Sequence, residues 1–140
     1  MNYELAVQTA VYNQLKSSSE LADLVGDKIY DHVPQKSEVC GKTVDSPFPY
    51  ITIGEDINTE WSVFEKSGND TTFVIHTWSR QRGRKELKEI QGAIRSALDR
   101  AELTYPDVCF VTCDFQGSSS DFENDTLTYH GISEFRILIR

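Results

Sequence analysis

The stretch from Thr71 to Leu98 constrains the fold of this chain more than any other. Thr71-Thr72-Phe73-Val74-Ile75-His76-Thr77-Trp78 is β-branched or aromatic almost throughout. That composition suits a pleated surface buried on at least one face. The run breaks at Ser79-Arg80-Gln81-Arg82-Gly83-Arg84, and the apolar period then changes. Leu87, Ile90, Ile94, Ala97, Leu98 and Ala101 recur at three- and four-residue steps, which predicts an amphipathic helix with one core-facing stripe. A strand feeding a helix through a short basic hook supplies both layers that a domain needs. The remaining strands are expected to complete the sheet on which this helix lies.

Upstream, Tyr3, Val7, Val11 and Leu15 step by four with Ala6 and Ala10 beside them, so a first helix is expected over Asn2–Lys16. Ser17-Ser18-Ser19 interrupts it and can cap a short second helix, Glu20–Val25, which Gly26 stops. Ile29 and Tyr30 read as a short extended segment. Residues 31–49 carry Pro34, Gly41, Pro47 and Pro49 with mixed charge and no period, so a loop is expected, with a projecting mobile part over 35–46. Tyr50–Gly54 reads as a strand. Glu60–Lys66 alternates well enough to be extended, and Ser67-Gly68-Asn69-Asp70 has turn composition.

Downstream, Val108–Phe115 is expected to be a strand and Gln116–Asp125, polar and rich in Ser and Asp, a loop. Thr126–Ile139 then reads as a long last strand with Leu127, Tyr129, Phe135, Ile137 and Ile139 on one face. The order predicts one α+β domain over residues 1–140. It should hold a mainly antiparallel sheet of about four strands with helices packed on one face.

A chain of 140 residues with 39% hydrophobic content suits a single core. Its net charge of −8 argues against non-specific nucleic-acid binding by the whole surface, which requires clustered Lys and Arg. The distribution says more than the total. Residues 79–100 carry a local net of +4, concentrated at Arg80, Arg82, Arg84, Lys85 and Lys88. Residues 101–135 carry a local net of −7, with seven acidic groups and no Lys or Arg. Two such segments can complement one another across a subunit boundary, although differing solvated faces are the plainer reading.

Three cysteines without paired spacing argue against a disulfide framework and favour a reducing compartment. Met1-Asn2-Tyr3-Glu4-Leu5 lacks the basic start and apolar run of a signal peptide, and no apolar run approaches the roughly 18 residues of a membrane span. A soluble intracellular protein, with no membrane partner, is therefore expected.

Chemistry is sparse. His32, His76 and His130 lie in a loop and two strands, in no metal-binding spacing with one another or with a Cys. His76 alternates with Val74 and Trp78 and reads as a packed sheet histidine. Cys109 and Cys113 stand four apart on a predicted strand, which suits buried thiols better than zinc ligands. Asp121, Glu123 and Asp125 lack the glycine and terminal glutamate of a calcium loop, so they read as a solvated loop. There is no phosphate-binding glycine loop and no nucleophile elbow. No catalytic residue, cofactor or metal is expected. The basic hook is the one candidate for binding RNA or DNA, and in so acidic a chain a protein partner is the better fit.

Four segments taken together resemble a known family. They are Ile29-Tyr30-Asp31-His32-Val33-Pro34, Phe48-Pro49-Tyr50-Ile51-Thr52-Ile53-Gly54-Glu55, Ile75–Arg80 through Gly83-Arg84-Lys85-Glu86, and Thr128-Tyr129-His130-Gly131 before an Arg-bearing last strand. In this order and spacing the chain is similar to the tail-completion, tail-terminator-like proteins of long-tailed bacteriophages, prophages and gene transfer agents. It departs from them in Gln35–Ser46, which is longer than the usual link.

The resemblance implies a structural protein without catalytic residues. Such terminators form a ring, commonly a hexamer, on the head-proximal end of the tail tube in the virion. They stop tube growth and meet the head-completion protein, with DNA only as passing cargo, and are assembled in the bacterial cytoplasm. Arg80, Arg82, Arg84 and Lys85 on one side, and Asp114, Asp121, Glu123 and Asp125 on the other, are then candidates for subunit and partner contacts. Two other classes compete: a small metal-dependent nuclease using the acidic residues, and an RNA-binding regulatory module using the hook.

Overall fold

Among the residues that the computed structural model describes, three helices lie on one face of a five-stranded sheet. The structure describes residues 2–26, 28–30, 48–123 and 127–140, together with the backbone of 37–39 and 42–44. Helix α1 (Tyr3–Lys16) starts where the Asn2 side chain accepts a hydrogen bond from the Leu5 amide at 3.1 Å. Its Ala6, Val7, Ala10, Val11 and Leu15 are buried, as their spacing predicts. Ser18 caps α2 (Ser19–Val25) in the same way, through the Leu21 amide. Helix α3 (Lys85–Leu98) buries Leu87, Ile90, Ala93, Ile94 and Leu98.

Strand order is β1-β4-β5-β7-β6. The short β1 (Ile29–Tyr30) runs parallel to β4 (Tyr50–Val63), and β4, β5 (Lys66–Ser79), β7 (Tyr129–Ile139) and β6 (Phe110–Phe122) are antiparallel throughout. The sheet is thus one strand wider than expected. Odd-numbered residues of β5 and β7 point at the helices, where Phe73, Ile75, Phe135, Ile137 and Ile139 meet the α3 stripe in one core. Phe135 sits between Phe73, stacked at 5.7 Å, and Phe115, edge-on at 5.5 Å. Even-numbered residues of the same strands face away from the helices.

Three expectations are corrected. Residues 67–70 do not turn: they lie within β5, and the chain reverses instead at Phe64-Glu65, between the paired Val63 and Lys66. Gly68 has a packing role, because a Cβ there would collide with the Ile139 carbonyl and the Trp61 ring. Trp61 donates its indole N–H to that same carbonyl at 3.1 Å. Gln116–Phe122 is likewise no loop, since β6 continues to Phe122 paired with β7. An edge strand can be polar, because its ladder bonds come from the backbone and its other side meets water.

The third correction concerns residues 31–49. Ser37–Val39 (β2) and Lys42–Val44 (β3) pair antiparallel there as a separate two-stranded sheet. The remainder of the expected mobile segment over 35–46 lies outside the described residues. Among the described residues, no helix is long and apolar enough to cross a membrane.

Candidate functional site

The hook between β5 and α3 is held from inside. Buried Ser79 donates its hydroxyl to Glu86 Oε1 at 2.8 Å and accepts the Gln81 amide at 3.3 Å. This pins the first turn of α3 to the end of β5, and places an acidic side chain where the helix dipole favours one. The basic groups then point outward. The Arg80 guanidinium lies 4.2 Å above the Phe48 ring and its Nε donates to Thr128 Oγ1 at 3.2 Å. Arg84 lies 5.9 Å from the Tyr129 ring, and Lys85 pairs with Glu89 at 4.0 Å. Arg82 is exposed. The structure therefore gathers Arg80, Arg82, Arg84 and Lys85 at one end of the sheet.

The acidic candidates are less of a group. Asp114 stands opposite Arg136 on the helix-free face, and Arg136 itself grips Asp70 through two bonds of 2.9 and 2.6 Å. Asp121 is opposite His130, at the other end of β6. Glu123 follows directly and accepts from His130 Nδ1 at 3.0 Å. Asp125 lies outside the described residues. Because β6 returns beside the hook, Asp121 and Glu123 share the basic end of the sheet with Arg80 and Arg84. Among the described residues, the acidic candidates are thus not confined to the end of the sheet opposite the hook.

Sequence reasoning missed a cluster on the helix-free face. His76 Nδ1 lies 2.6 Å from His130 Nε2, a diagonal contact between β5 and β7. His76 Nε2 reaches Glu55 Oε2 at 3.1 Å. The chain Glu55–His76–His130–Glu123 therefore crosses β4, β5 and β7 to the end of β6. Gly54 leaves room for it, since a Cβ there would collide with the His76 ring. A bulge between Ile53 and Asp56 directs Glu55 toward that ring. Trp78 covers His130, with ring centroids 3.9 Å apart and planes within 4°. Burial pushes the His130 pKa down, with the neighbouring His76 adding to it, while the bond from His76 pulls that of Glu55 down. The expected packed histidine is half of this pair. Its partner lies 54 residues away, a separation no local pattern registers.

The cysteines do not share a face. Cys109 precedes β6 and is exposed, whereas Cys113 is buried and its thiol is pushed up to about 12 by burial. Among the described residues, no three His, Cys, Asp or Glu are placed to hold a metal ion.

Comparison with known proteins bears on the whole chain. Residues 9–140 match the family described as "Tail completion protein gp17". Over 134 residues the chain is 28% identical to the tail completion protein gp17 of Bacillus phage SPP1, covering 96% of this chain and 92% of that protein. A chain from the virion of a native gene transfer agent particle superposes with a TM-score of 0.84 at 25% identity, over 99% of this chain and 97% of that one. The structure of the SPP1 gp17 protein gives 0.60, also at 25% identity, over 100% and 93%.

Proposed function

The chain belongs to the tail completion protein gp17 family, and from that premise we propose that it forms a ring closing the head-proximal end of a phage tail tube. It is a structural virion protein of the tail, not an enzyme. On this reading the ring, a hexamer, stops tube growth, meets the head-completion protein, and is built in the host cytoplasm before joining the particle. The observation that carries the proposal is the end-to-end likeness, at a TM-score of 0.84, to a chain that sits inside an assembled gene transfer agent virion.

A ring needs a head-to-tail contact, in which one surface of each subunit meets a different surface of the next. The outward-pointing Arg82 and Arg84 suit a protein partner. The helix-free face, with Asp114, Asp121, Glu123 and Glu134, suits a neighbouring subunit or a lumen whose carboxylates repel passing DNA. Particles assembled with the gene deleted, imaged by electron microscopy beside a solution mass of the purified protein, test the reading. Headless or over-long tails and a mass that is a multiple of the subunit are expected. Normal joined particles of normal tail length overturn it.

A further inference from the structure

The Glu55–His76–His130–Glu123 chain has three contacts, all of them involving histidine nitrogens, and each needs one N–H. With both carboxylates ionised they can only accept, so His76 Nε2 and His130 Nδ1 must each carry a proton. The two remaining nitrogens face one another at 2.6 Å and need a third proton between them. Two neutral rings hold only two protons, which leaves two lone pairs opposed. Two imidazolium rings hold four and set N–H against N–H. Only three protons on the four nitrogens make every bond.

We propose that these four residues form a proton-linked clamp across the sheet, closed by one shared extra proton and opened by acidification. The clamp joins β4, β5 and β7 to the end of β6, and the ring space is committed to it by Gly54 on one side and Trp78 on the other. Among the described residues, the charged or titratable groups facing the pair are Glu55 and Tyr50 from β4, Asp121 and Glu123 from β6 and its end, Glu134 from β7, and Arg80 beyond β5. The helices lie on the other face and contribute none. Carboxylates predominate, so one extra proton is favoured there, while burial and mutual repulsion resist a second. His130 keeps its Nδ1–H toward Glu123, and the extra proton lies between the two facing ring nitrogens.

The two rings of the unfolded chain share about one extra proton at the ordinary histidine value of 6.5 and approach two well below it, whereas the closed clamp holds one and refuses the second. Below about pH 6.5 the folded state therefore loses stability on acidification, with the unfolding equilibrium constant rising by up to about tenfold per pH unit. Ring-nitrogen NMR of the wild-type protein near pH 6.5 reads the proton count directly. Three protons on the four ring nitrogens are expected, one each on His76 Nε2 and His130 Nδ1 and the third between His76 Nδ1 and His130 Nε2. Two rings titrating independently overturn the clamp, and so does equimolar Zn²⁺ replacing the shared proton, which would make the pair a metal site. Urea unfolding of the wild type and of His130→Gln between about pH 6.5 and pH 5 is the second measure. A steeper fall in the wild type supports the clamp; equal slopes overturn it.

Discussion

His76 and His130 stand 54 positions apart in sequence, yet their Nδ1 and Nε2 atoms come within 2.6 Å on neighbouring strands. Their outer nitrogens reach Glu55 and Glu123, so both rings are held at both ends. The face that carries them is the one the helices leave open, and it also holds Asp114, Asp121 and the Asp70–Arg136 pair.

Gly54→Ala should displace the His76 ring, because the added methyl has nowhere else to go. A cost of about 1–3 kcal/mol, typical of overpacking, is expected in urea unfolding. The His76 ring resonances should shift while α3 remains intact by circular dichroism. A neutral substitution would mean that the ring has room to move.

Ile94 is fully buried at the centre of the α3 stripe. Truncation to Ala should cost about 2–5 kcal/mol through lost burial and the cavity left behind. An unfolding midpoint that moves by the equivalent of less than half that range would place the helix elsewhere.

The two bonds from Arg136 hold the Asp70 carboxyl below its usual pKa. A depressed carboxylate contributes stability that is present above its unfolded value and lost as pH falls through the folded one. Asp70→Asn should therefore flatten the acid limb of the stability profile below about pH 4. Its effect at pH 7 should be insensitive to further alkalinisation. A variant with the wild-type acid limb would remove the pair from the account.

Thiol reagents at pH 8 should separate the two described cysteines. Cys109 is exposed, whereas Cys113 is buried with its pKa raised to about 12, and the thiolate is the reactive form. In a Cys40→Ser background, one thiol should react quickly and the second only on unfolding. Two equal fast phases would contradict the burial of Cys113.

Reversing Arg82 and Arg84 to Glu should weaken ring closure or head joining without unfolding the subunit, since neither side chain is in the core. Wild-type association should also weaken as salt rises. Sedimentation of both proteins at two ionic strengths, with a count of joined particles, checks this. Normal assembly by the double variant would remove the hook from the interface while leaving the family assignment intact.

Local spacing by itself determined the three helices, the inner face of β5 and the α+β class. Leu87, Ile90, Ile94 and Leu98 can share a side only if the backbone turns every 3.6 residues. Four dispersed segments, from Ile29 to Gly131, also carried the family likeness. Composition misled where a neighbour set the conformation. Gly68 reads as a turn residue, but it is a glycine because Trp61 and the Ile139 carbonyl occupy the place of its side chain. The serines of β6 read as loop, but β7 supplies their backbone partners. Only the tertiary structure could decide the histidine pair, the bulge that aims Glu55, and the return of Asp121 and Glu123 to the basic end. Each depends on the register between strands remote in sequence, and register is settled by packing of the whole sheet against the helices rather than by any stretch of chain alone.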